Sequence, residues 1–186
     1  CVFYLGVALH LAAAVTVLIY LKQGSNSSLL LAQRKAIAGI LCLATSLLLR
    51  WFQWNQVPLT VSVDIMSLFL LLGSAIAILV AKNDQRRALL AFYLPILALL
   101  GVVAAMVAHP DLGVEPKVLS VPVSQKSLTG ALLIIHVGLA FLAFALYLIA
   151  SLTSFAYIFQ SRHLKKHKTS NLFLNLPSLE QLDTTL

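Results

Sequence analysis

Five long apolar runs, separated by short polar breaks, constrain this chain more than any other feature. They are Cys1–Leu21, Ala36–Phe52, Ile65–Ala81, Ala88–Ala108 and Leu128–Phe159. A helix of about 20 apolar residues crosses the hydrocarbon core of a bilayer. Lipid offers the backbone no hydrogen-bond partner, so a spanning segment is helical or belongs to a closed barrel, and no alternating segments of barrel type occur here. The runs therefore predict an all-α, polytopic membrane helix bundle forming one transmembrane domain of five spans. Composition agrees. Of 186 residues 60% are hydrophobic and 10% charged, against roughly a quarter charged in a soluble domain. Disorder is excluded on the same ground, since it needs low hydrophobicity.

The net charge of +7 does not mark a nucleic-acid binder, because the basic residues sit in short clusters between apolar runs rather than on one face. Their placement predicts orientation. Ten of the 13 Lys and Arg residues fall in the first and third breaks and the tail: Lys22, Arg34 and Lys35; Lys82, Arg86 and Arg87; Arg162, Lys165, Lys166 and Lys168. Arg50, Lys117 and Lys126 fall on the other side. Positive charge is retained in the cytoplasm, so the amino end and the breaks at 53–64 and 109–127 are expected outside, in a multi-pass protein of a bacterial inner (plasma) membrane.

The last run would reach about 48 Å as a helix, longer than a core of about 30 Å, so it is expected to tilt or project beyond the membrane. Residues 160–186 read as a basic cytoplasmic tail ending in the start of a further helix: Ser178 and Gln181 have capping-box spacing, and Leu179, Leu182 and Leu186 follow at helical intervals. Cys1 opens directly into an apolar run. Both ends lead us to expect a piece of a longer protein. Cys1 and Cys42 form no CxxC or CxxCH pattern, so no disulfide framework or covalent haem attachment is written here.

Two histidines, His10 and His136, lie inside spans. An ionisable side chain there usually faces the bundle interior and is a functional candidate, although a histidine can equally serve as a hydrogen bond between helices. Steps of three and four from His136 meet Ala140, Ala143, Tyr147, Ala150 or Ser151, and Ser154, a small or polar stripe. Small residues let membrane helices approach closely, so the stripe predicts that His136 faces packed protein, where a neutral imidazole can ligate a metal such as haem iron. His10 has Gly6, Val7, Ala13 and Ala14 around it and no polar partner. At the end of the second run stand Arg50, Trp51 and Trp54. They read either as an interfacial aromatic belt with a snorkelling arginine, or as a rim for a flat anionic ligand, arginine pairing a carboxylate and the indoles stacking. Asp64 marks the start of the third run. The chain carries no Walker A, GxGxxG or HExxH motif and no nucleophilic triad, which suits an assembly factor better than a self-contained catalyst.

The order of features resembles a known family. Arg50-Trp51 leads to Pro58-Leu59, then Asp64 and a Ser67-Leu68-Phe69 run; later come Leu133-Ile134-Ile135-His136-Val137-Gly138-Leu139, Phe144, Leu146, Tyr147, a basic exit and Leu176-Pro177-Ser178-Leu179-Glu180. This is similar to the cytochrome c assembly transmembrane family of CcsA and ResC, and most similar to its HemX/YpjD-like branch. It departs at Asn55-Gln56, where the CcsA-like pattern has Gly-His, and at Asp64, where it has Glu. The resemblance implies a haem-handling protein of c-type cytochrome biogenesis that binds haem b near the outer face for delivery to apocytochrome c, alongside other assembly membrane proteins. It implies His136 as an axial ligand to the iron, with Arg50, Trp51 and Trp54 as outer-face haem contacts, and it places a tryptophan-rich segment and a second outer histidine beyond residue 186. The alternatives are a haem-free regulator or scaffold of HemX/YpjD type and a transporter subunit.

Overall fold

The computed structural model describes residues 2–54, 62–82, 87–108 and 128–165. Among these, all regular structure is helical, and five helices are long and apolar enough to cross a membrane. They are α1 (Val2–Gln23), α2 (Asn26–Trp54), α3 (Ser62–Val80), α4 (Leu90–Ala108, entered through a 3-10 turn at Arg87–Leu89) and α5 (Leu128–Lys165).

The second helix begins at Asn26 rather than Ala36, the start of its apolar run. Tertiary contact is the reason. Leu29, Ala32 and Ala36 are buried in one cluster with Val17 and Tyr20 of α1, so the polar stretch before Ala36 is wound into the helix by its apolar stripe. The break between α1 and α2 shrinks to a turn. Gly24 takes a φ of 71° and gives its N–H to the Tyr20 carbonyl at 2.7 Å, a left-handed cap that closes α1. At its far end α5 runs on to Lys165, 38 residues in all, or about 57 Å.

The core forms where α1, α2, α3 and α4 meet. One cluster, including Phe3, Val7, Leu43, Leu70, Tyr93 and Leu97, extends toward α5 through Ile149 and Ala156. The other joins the C-terminal half of α1 to the start of α2, the end of α3 and the start of α4. Helix α5 leans on α3 and, to a smaller extent, on α4. Its buried residues are Ala145, Ile149, Thr153 and Ala156.

Candidate functional site

Among the described residues, Lys35 of α2 gives a hydrogen bond to the buried Thr16 hydroxyl of α1 at 2.8 Å, and three further groups of polar side chains bear on the candidate site. The first centres on His10, which is fully buried. Its Nδ1 lies 2.9 Å from the Gly6 carbonyl and its Nε2 lies 2.8 Å from Ser74 Oγ on α3. A carbonyl only accepts, so Nδ1 carries the hydrogen, and in the neutral ring Nε2 accepts from the Ser74 hydroxyl. On the third side stands Gly39 of α2. A Cβ there would fall 2.5 Å from Nδ1, so only glycine fits against the ring. Both ring nitrogens are engaged, and His10 ties three helices together. Ser74 supplies the polar partner missing from the sequence neighbourhood of His10.

The second group joins α4 to α5. Thr153 gives its hydroxyl hydrogen to the Ile149 carbonyl at 2.8 Å, so its oxygen accepts from the Tyr93 hydroxyl at 2.7 Å. This bond turns the Ala145, Ile149, Thr153 and Ala156 face of α5 inward.

The position of His136 follows from that rotation and corrects an expectation. Stepped at 100° per residue, His136 lies on the far side of α5 from Ile149. It is exposed, as are Ala143, Tyr147, Ala150 and Ser151, while Ala140 and Ser154 are half-buried. The small stripe through His136 thus faces away from the bundle formed by the described residues. Two alanine-bearing stripes run along α5, and the one that packs among the described residues holds Thr153, which meets the buried Tyr93 hydroxyl of α4. No described residue bonds to the His136 imidazole. Beside this face is an apolar cleft of about 480 Å³, lined mainly by Met66 and Phe69 of α3, Leu100 of α4, and Phe141, Phe144 and Tyr147 of α5. Tyr147 shares the face of His136, three turns along.

The third group stands where α2 ends and α3 begins. Arg50 Nε lies 2.6 Å from Asp64 Oδ1, and the two side chains are 17% and 5% exposed. Asp64 is thus more than a boundary marker: it is the ion-pair partner of Arg50. Trp51 is exposed, and Trp54 is the last residue of α2. The up-and-down course of single-crossing helices brings the end of α2, the start of α3 and the start of α5 to one end of the bundle.

These residues fit a haem-type ligand in kind: an exposed imidazole on α5, an aromatic-walled apolar cleft farther along the same helix, which His136 does not line, and an arginine with an exposed tryptophan at the end of α2. No group of three or more His, Cys, Asp or Glu residues that would cage a bare metal ion occurs among the described residues.

Comparison with known proteins adds one finding. The family profile described as Cytochrome C assembly protein matches residues 60–186. No curated protein and no solved structure matches the chain.

Proposed function

The chain belongs to the cytochrome c assembly protein family, with a role in cytochrome c biogenesis, and from that premise we propose that it binds haem b near the outer membrane face and holds it for delivery to apocytochrome c. One observation carries the reading: His136, inside the family-matched region, presents an imidazole that no other described side chain uses. A histidine left unpartnered on a membrane helix is costly, and axial ligation is one way to satisfy it. In this reading His136 contributes an axial nitrogen, Phe141, Phe144 and Tyr147 offer apolar surface to the macrocycle, and Arg50, Trp51 and Trp54 form the outer rim. When bound, the haem would supply its own iron and vinyl chemistry. The side chains here bind and orient it and exclude water. Positive charge at 22–35 and 82–87 supports an orientation with that rim outside.

The test is the visible spectrum of the protein purified in mild detergent from haem-replete cells, beside His136→Ala. We expect a Soret band that weakens in the variant and recovers with added imidazole. A Soret band unchanged in His136→Ala overturns the ligand assignment. Absence of the band from the wild-type protein favours the haem-free regulator or scaffold, for which the bare face of α5 would receive a partner helix.

A further inference from the structure

We propose that Arg34 and Lys35 form a binding site for the phosphate of an anionic phospholipid, in the leaflet at the α1–α2 turn, with Thr16 positioning the lysine.

The sequence puts both residues ahead of the apolar run that starts at Ala36. The structure puts them inside a helix, since α2 begins at Asn26, and Arg34 stands about 12 Å along its axis. Arg34 is exposed. On the same face stand Leu30 and Leu31, one turn nearer the helix start, and Ile37 and Leu41, one and two turns beyond, all of them exposed too. A charge thus interrupts an outward apolar stripe, the kind of surface that acyl chains cover. Lys35 is half-buried beside it. Its ammonium donates to Thr16 Oγ1 of α1 at 2.8 Å, and Thr16 gives its own hydrogen to the Ala12 carbonyl at 2.6 Å. That bond uses one of the three ammonium hydrogens. The others, like the Arg34 guanidinium, have no partner among the described residues.

No described acid serves this pair. Asp64 is the sole acidic residue among the described residues, and it pairs with Arg50, near the other end of α2 and about 24 Å from Arg34 along the helix. Cations left on a membrane helix without a counter-charge are costly, and phosphate is the anion that a bilayer itself supplies. Side chains on α2 lean toward its amino end, so Arg34 reaches back over Leu30 and Leu31 toward the headgroup layer. Ile37 and Leu41, deeper along the stripe, are left as the surface for the acyl chains of the same lipid. The bland reading is that basic residues at this end only fix topology, as Lys22 and Lys82 do, and that Lys35 merely ties two helices. The readings differ in what they require. A topology signal needs charge anywhere at this end, whereas the site needs it at 34 and 35.

The test is native mass spectrometry of the full chain, released from mild detergent holding equimolar phosphatidylglycerol and phosphatidylcholine, reading the ratio of bound lipids. We expect a preference for phosphatidylglycerol of about fivefold for each of the two basic residues, or about 25-fold in all. Arg34→Gln and Lys35→Gln each lower it about fivefold, and the double variant binds the two lipids equally. Arg34 is exposed, so Arg34→Gln reads the site even if Lys35→Gln fails to fold. Lys82→Gln, an exposed charge at the same end of the bundle, leaves the preference unchanged. Thr16→Val keeps both charges and lowers the preference, because the ammonium loses its acceptor. Excess inorganic phosphate does not displace the lipid, which its acyl chains also hold. Equal binding of the two lipids by the wild-type protein overturns the inference. So does a preference undiminished in Arg34→Gln, or one that Lys82→Gln lowers as far as Arg34→Gln does, the signature of diffuse charge. A preference unchanged in Thr16→Val overturns the part given to Thr16, and displacement by inorganic phosphate overturns the lipid in favour of a free anion.

Discussion

Helices α1 and α5 are both apolar enough to span a membrane, yet they use that character differently. In α1, 44% of the most apolar stretch is buried within the protein; in α5 the share is 11%. The α1 side of the bundle is tied by His10, Gly39 and Ser74, with three helices meeting at one ring. Helix α5 is held by a narrow seam and one hydroxyl pair, Tyr93 with Thr153. The candidate histidine, His136, lies on the loosely held helix, and the fully packed histidine, His10, on the other. In a membrane protein an intramembrane histidine can thus be spent wholly on packing, as His10 is, while His136 has no partner among the described residues.

Four substitutions test that contrast, beginning with the largest effect. Gly39→Val drives a branched side chain into the pinned His10 ring, and overpacking of this kind should cost about 3 kcal/mol in detergent unfolding; a variant as stable as wild type would refute the close α1–α2 contact. His10→Ala leaves a cavity and an unpaired Ser74 hydroxyl, for an expected loss of about 2 kcal/mol. The protein that remains folded should hold as much haem as wild type, and a specific loss of the Soret band would return His10 to the list of ligands. Tyr93→Phe removes the hydroxyl bond to Thr153 alone and should cost about 1 kcal/mol. Its effect should appear as faster proteolysis or hydrogen exchange of α5 relative to α1. Leu139→Ala, on the exposed side of α5, should change stability by less than about 0.5 kcal/mol. A large loss there would mean that this face is covered.

The residues themselves show why some of this was legible from sequence. The helical class, the five apolar runs and the family resemblance from Arg50 to Leu179 follow from one-dimensional features: hydropathy over about 20 residues and the order of a few polar landmarks. Hydropathy marks the environment of a whole helix, and the backbone must pair internally wherever lipid surrounds it. The facing of each helix was another matter. In water, an apolar stripe against a polar face reveals which side packs; here the lipid-facing and core-facing sides are both apolar, so that contrast is lost. The small residues of the stripe through His136 predict the seam there. The actual seam is the neighbouring one, where Thr153 meets Tyr93 60 residues away in sequence.

The same limit hid the partners of polar side chains. Ser74 lies 64 positions from His10, and nothing local to either residue announces the other. Asp64 looked like the edge of an apolar run until α2 and α3 brought it against Arg50. Sequence alone determined that this chain is a bundle of membrane-spanning helices with two intramembrane histidines. Tertiary structure decided which histidine is consumed by packing and which is left open, because hydrogen bonds between helices depend on rotation and register that an apolar sequence does not encode.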